Sequence, residues 1–236
     1  MKIKTYGSYT KLSSNHLAGR TAIVIDLLRS GTSMTWALVN GANKVIPAAD
    51  PGEAASIAGR MGGCILGGER GGLKLPGFDL GNSPLEYVRD AVEGKSVVVS
   101  TTNGTGALCG MTGAANVLLG SMINCTATAR RAVELGNDVI IMCAGTDGDI
   151  SADDLFAAGA IAEAIARLSG GDVQACDMTI IACMIYKAWK NDRRELSLTR
   201  HCSRLIGLGF EKDVDFCLSR DITDIVPVYR NGVLEI

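Results

Sequence analysis

The sequence predicts an α/β fold: a three-layer α/β/α architecture on a mixed, largely parallel sheet. Three observations carry this. Short apolar runs recur through the first 145 residues, rich in Val and Ile and without alternation, as strands buried on both faces require. Gly-rich polar turns and helix starts with readable caps separate them. The closing segment DIVPVYRNGVLEI (224–236) reads as a hairpin turning at Asn231-Gly232, which adds antiparallel strands.

The apolar runs are TAIVIDLL (21–28), KVIPA (44–48), CILGG (64–68), SVVVST (96–101), NVLLGS (116–121) and DVIIMCAG (138–145). Asp50, Pro51 and Glu53 supply an N-cap, an N1 proline and an N3 acid for a helix. Ser83, Pro84 and Glu86 repeat that pattern, and Ser151 with Asp154 is a looser version. Beyond residue 150 the texture changes to two long Ala-rich helices, 153–170 and 172–192. No linker, low-complexity tract or internal repeat interrupts the chain, so residues 1–236 read as a single domain.

Composition narrows the function. Lys and Arg number 23 against 25 Asp and Glu, and no basic stripe is visible, which argues against a dedicated nucleic-acid binder. With 47% hydrophobic residues and a net charge of −2, disorder is excluded. The start MKIKTYGSYTKL has no apolar core of signal-peptide length, and no run reaches the roughly 18 apolar residues of a membrane span. The eight cysteines form no CxxC pair and read as small buried hydrophobes of a reducing compartment. A cytoplasmic protein without a membrane partner is expected. The apolar helices of the second half either pack internally or form a dimer face, so a homo-oligomer stays open.

Ligands of open α/β sheets bind beyond the carboxyl ends of the strands. Those ends carry Asp26 with Arg29, Ser30 and Thr32; Glu69 and Arg70 within a run of glycines; Thr101, Thr102, Asn103 and Gly104; and Thr146 to Asp149, followed by Asp153 and Asp154. Gathered on one rim, acids beside arginines suit a hard cation next to an anion. Mg²⁺ takes carboxylate oxygens and shares its shell with phosphate, and arginine forks match phosphate or carboxylate. Metal-assisted phosphoryl chemistry follows. Plainer roles stand beside these: a turn for Asp26, a capping-box acid for Asp154, helix initiation for Thr101 to Thr105, a surface pair for Glu69-Arg70, and a solvated or capping His201. Cys64 and Arg70 have a C-x₅-R spacing, but Ile65 and Leu66 continue the apolar strand, so a phosphatase cysteine loop is not supported. Neither GxxxxGK[ST] nor a placed GxGxxG is present, so ATP and NAD are not expected.

Five stretches, VIDLLRSGTS (24–33), GGERGGLKLPGFDLGNSP (67–84), STTNGTGAL (100–108), CAG with SADD and AGAI (143–161), and DIVPV (224–228), resemble the 2-phosphosulfolactate phosphatase family. The similarity runs from about residue 20 onward. It implies a Mg²⁺-dependent acid phosphatase of coenzyme M biosynthesis that hydrolyses (2R)-2-phospho-3-sulfolactate to (2R)-3-sulfolactate and phosphate. Asp26, Arg29, Glu69, Arg70, Asp79, Asn82, Thr101, Thr102, Asn103, Gly104, Ser151 and Asp154 stand where the family pattern has like residues. The expectation built on it gives metal ligation to Asp26 and Glu69, with Asp154 through a water; Asp26, Asp79 and Asp154 are the catalytic residues, and Asp79 or Asp154 serves as general acid or base. Substrate binding falls to Arg29, Arg70, Thr101, Thr102, Asn103 and Gly104. Ser30-Gly31-Thr32 and the His201 segment depart from the family pattern. The alternatives are a Mg²⁺-dependent phosphatase of another small phosphorylated acid, or a non-catalytic anion-binding protein.

Overall fold

The computed structural model describes residues 1–9, 16–192 and 194–236. The chain opens with β1 (Lys2–Tyr6) and β2 (Thr21–Ile25), then alternates through α1 (Ser30–Val39), β3 (Lys44–Pro47), α2 (Pro51–Met61), β4 (Ile65–Arg70) and the two-residue β5 (Leu73–Lys74). Next come α3 (Arg89–Val92), β6 (Ser96–Ser100), α4 (Gly104–Cys109), β7 (Asn116–Gly120), α5 (Cys125–Leu135) and β8 (Val139–Cys143). The remainder is α6 (Ala152–Leu168), β9 (Gln174–Ala175), α7 (Asp177–Trp189), α8 (Arg194–Ser197), α9 (Arg200–Gly207), α10 (Glu211–Cys217) and the hairpin β10 (Val228–Arg230) and β11 (Val233–Glu235).

All strands join one mixed sheet in the order β5-β4-β6-β3-β11-β10-β7-β2-β8-β1-β9. Two parallel blocks, β4-β6-β3 and β7-β2-β8-β1-β9, are separated by the hairpin. The pairings β3 with β11, β11 with β10 and β10 with β7 are all antiparallel. Three inversions make the two blocks run in opposite senses. A single rim of carboxyl ends, the expectation from a simple parallel sheet, is therefore replaced by two sets of ends that converge on one site from opposed blocks.

The non-alternating runs mark strands buried on both faces. On β2, Ile23 and Ile25 pack with α5, α6 and α7 residues such as Ala129, Ile161 and Ala182, while Ala22 and Val24 face a second cluster. That second cluster draws side chains from both blocks, among them Val45, Val97 and Val117, around α1 and α4 residues Met34, Ala37 and Leu108. Val98, on the other face of β6, packs on Ala54 of α2 in a smaller cluster. Burial on both faces of the central strands is the main source of stability here, at roughly 25 cal/mol per Å² of apolar surface removed from water.

Local signals behave as chemistry dictates. Asp50 Oδ1 accepts the Glu53 amide (2.9 Å) and Glu53 Oε2 accepts the Ala49 amide (2.6 Å), closing the start of α2. Asn231 and Gly232 both carry positive φ (51° and 82°), the requirement of a two-residue hairpin turn. The Ser83-Pro84 start yields only a 3₁₀ turn over Pro84–Glu86, with Ser83 Oγ accepting the Leu85 amide. Ser151 does not cap α6 with its side chain; its hydroxyl donates to Asp153 instead, so the capping-box reading of Asp154 fails. No helix among the described residues is long and apolar enough to cross a membrane.

Candidate active site

Where the two blocks converge lies a cleft of about 80 Å³ lined by Asp26, Glu69, Thr101, Thr102 and Asn103, with Arg29, Asn82, Thr146, Asp147, His201 and Arg204. The convergence is close: Ser30 Oγ, after β2, lies 3.3 Å from Thr101 Oγ1, after β6. Arg29, after β2, donates to the carbonyl of Gly72, after β4 (2.6 Å).

Asp26 follows the last residue of β2 and is 8% exposed. Its Oδ1 accepts the Ser30 amide (3.2 Å) and its carbonyl accepts the Gly31 amide (2.8 Å), so the side chain is fixed by the first turn of α1. Burial pushes its pKa from 3.8 up to about 7, the nearby His201 opposes this, and the charges of Asp153 and Glu69 add to it. Gly104 backs directly onto it: a Cβ there would stand 2.5 Å from Asp26 Oδ2 and 2.6 Å from Ser30 Oγ. Only glycine lets α4 start at that spot.

Glu69 is held by three donors. Oε1 accepts the amide and the hydroxyl of Thr102 (2.8 Å each), and Oε2 accepts the Gly72 amide (2.8 Å). The carboxylate thereby clamps the β4–β5 turn to the end of β6. Arg29, 2% exposed, donates to Asp213 Oδ2 (2.6 Å) and lies 4.0 Å over the Phe210 ring. Asp213 in turn accepts from Ser83 Oγ (2.7 Å).

Three expected site residues stand elsewhere. Arg70 turns back to the Glu69 carbonyl (2.7 Å) and Ser100 Oγ (3.1 Å), bracing β4 against β6 outside the cleft lining. Asp79 is exposed and accepts the Leu66 amide (2.8 Å) early in β4, away from its carboxyl end. Asp154 is buried behind Asp26, where Oδ1 accepts the Leu27 amide (2.8 Å) and Oδ2 the Gly145 amide (2.9 Å). It staples the ends of β2 and β8 together. Burial, with Asp153 and Asp26 nearby, holds its carboxyl well above the usual carboxylate range against those two amides.

Among the described residues no three His, Cys, Asp or Glu side chains converge as a metal cage. The Asp26, Glu69 and Asp154 triad is thus not assembled around one point. Mg²⁺ nevertheless needs only one or two carboxylates when it keeps its waters and shares a phosphate. Asp26 and Glu69 are the two buried carboxylates of the cleft, so the donor set fits that ion.

The family comparison settles the lineage. The model of the 2-phosphosulpholactate phosphatase family matches residues 8–232. The chain belongs to this family. It is 41% identical over 241 residues to a probable 2-phosphosulfolactate phosphatase of Caldicellulosiruptor saccharolyticus, covering 100% of this chain and 99% of that protein. Proteins of the same description from Caldanaerobacter subterraneus (39% over 237 residues; 99% and 98% covered) and Clostridium novyi (40% over 231 residues; 98% and 97% covered) are similar throughout.

Family membership does not by itself point to α9, yet α9 closes the cleft. His201, read from sequence as a solvated or capping residue, points its Nε2 at the Leu28 carbonyl (2.6 Å), so that nitrogen carries the proton, and its buried Nδ1 has no partner among the described residues. Arg200 donates to the Thr146 carbonyl (2.8 Å) and Arg204 to the Gly71 carbonyl (3.2 Å). One helix thus ties down the turns after β2, β8 and β4. Asn82, 6% exposed, also lines the cleft with a buried Oδ1 that has no partner among the described residues. The sequence signal for α9 was the pair Arg200 and Arg204, one helical turn apart on the same face.

Proposed function

We propose that this chain is a phosphoric monoester hydrolase acting on (2R)-2-phospho-3-sulfolactate, with Mg²⁺ held by Asp26 and Glu69. The observation that carries the reading is a buried aspartate at the converging strand ends, its pKa raised to about 7 by burial and neighbouring acids, in one cleft with a buried arginine. Carboxylates crowded beside an anion site are unfavourable for a plain anion receptor and favourable once a cation joins them. Its relatives' descriptions supply the substrate, and the reaction belongs with coenzyme M biosynthesis. The unclustered cysteines support a cytoplasmic setting.

When bound, Mg²⁺ neutralises phosphate charge and acidifies a bound water. The protein's own groups do the rest. Arg29, locked by Asp213, Gly72 and Phe210, faces the phosphoryl group with no reorganisation, as electrostatic stabilisation requires. Thr101 and Asn103 at the start of α4 add polar contacts, and Asn82 Oδ1 offers an acceptor that orients a water or the product hydroxyl. We assign to His201 Nδ1 the uptake of the attacking water's proton, because the fixed Nε2–H leaves the other ring nitrogen a bare acceptor and it has no partner among the described residues.

Phosphate release from phosphosulfolactate by purified protein, with Mg²⁺ and with EDTA, tests this beside a panel of 2-phospho acids. Selective, Mg²⁺-dependent release is expected. Release from another panel member alone would replace the substrate, and release indifferent to EDTA would remove the metal.

A further inference from the structure

The cleft's charges are unevenly spent. Arg29 is neutralised by Asp213 at 2.6 Å. Arg200, just outside the lining, faces Asp147 at 3.7 Å and Asp149 at 3.8 Å. Arg204 is different: it lines the cleft, is exposed, and among the described residues it pairs with no acid. Its one bond goes to the Gly71 carbonyl, which leaves most of its five N–H donors uncommitted.

Its placement is built in. On α9 the neighbours Cys202 and Leu205 are fully buried in the core, which fixes the helix and the direction of Arg204. The facing turn is Gly71-Gly72, both at positive φ (64° and 88°). A Cβ on Gly71 would meet the Arg204 guanidinium at 3.3 Å, and one on Gly72 would meet Leu208 at 3.0 Å. The turn is glycine where α9 comes close. Two further atoms of the same cleft, Asn82 Oδ1 and His201 Nδ1, are buried without partners among the described residues, as groups awaiting a ligand are.

Resting on the phosphatase reading, we infer that Arg204 is the residue that selects the substrate's sulfonate. The substrate carries three anionic groups. The phosphoryl group belongs at the Asp26, Glu69 and Arg29 end, where a cation can share it. The sulfonate sulfur is two bonds from C2 and so reaches farther from the reacting centre than the carboxylate on C2 itself. The distal anion therefore meets the one cleft guanidinium that no carboxylate neutralises, and a planar fork of donors matches its oxygens in pairs. An analogue with a methyl group in place of the sulfonate-bearing carbon leaves Arg204 unanswered, which is how a polar pocket rejects it.

Two ratios test this: kcat/KM for 2-phosphosulfolactate over 2-phospholactate, and the Kd of lactate over that of 3-sulfolactate by titration calorimetry. Arg204→Ala is expected to lower both ratios about 10- to 100-fold, the worth of one charge-assisted contact, with Arg204→Lys between it and wild type. If both substrates lose activity equally and both ratios hold, Arg204 is structural or reads the carboxylate, and the inference is overturned. If the wild type hydrolyses neither ester but still prefers sulfolactate to lactate through Arg204, the inference stands and the phosphatase reading falls.

Discussion

Replacing Asp26 with Asn should make the metal-free protein more stable at alkaline pH while removing its activity. The carboxylate is buried with Asp153 and Glu69 near it, and its pKa rises from 3.8 to about 7. Between those two values the folded state holds a proton that the unfolded chain has released. Stability therefore falls as pH rises through that window, and the loss is complete above about 7. Three units correspond to about 4 kcal/mol, of which about 2.5 kcal/mol develops between pH 5 and pH 8. An amide keeps the bond from the Ser30 amide and never ionises, so Asp26→Asn escapes this loss. Urea unfolding in EDTA at pH 5, 6, 7 and 8 reads the difference directly. An advantage of the variant that grows toward pH 8 is expected. A pH-independent difference, or a variant weaker at pH 8, would refute the view that ionised Asp26 is a destabilising charge awaiting a cation. Mg²⁺ should restore the wild type at pH 8 and leave the variant unmoved.

Gly104→Ala drives a methyl group against Asp26 Oδ2 and Ser30 Oγ, so kcat should fall at least about tenfold with a stability loss of about 1–3 kcal/mol, read by steady-state kinetics and urea unfolding. Asp213→Asn strips the buried Arg29 charge of its counter-ion and should cost about 3 kcal/mol in urea unfolding. Asp79→Asn lies outside the cleft and should keep kcat/KM within about twofold; a hundredfold loss would return Asp79 to the reaction.

Much of the frame was legible. The central strands announce themselves through runs such as VVV at 97–99, and the 224–236 hairpin through Asn-Gly. β1 was not read, because its only signal is the alternation of Lys2, Ile3, Lys4 and Thr5, and two buried side chains make a weak pattern. β9 is two residues long and carries no pattern at all. The site divides similarly. Asp26, Arg29, Glu69 and Thr101 to Asn103 stand at strand ends, where position alone marks them as candidates. Asp154 reads as a third metal ligand because it too comes after a strand end. Only the fold reveals that its oxygens face the Leu27 and Gly145 amides. His201, Arg204 and Asp213 arrive on helices more than 40 residues beyond the nearest site strand, and nothing local in a sequence encodes such a distant approach.

The hairpin at 228–235 sets a timetable for the site. Leu234 pairs with Val45 and Val228 with Leu118, so the two halves of the sheet are joined by residues that leave the ribosome after both halves are made. Asp26 and Glu69 emerge early, but the seam that brings their blocks into register waits for residue 234. At about 5–20 residues per second, that interval is on the order of 10–30 s. Until the seam closes, the half-sheets present unpaired edges along β3 and β7, and chaperone dependence of this protein should concentrate there.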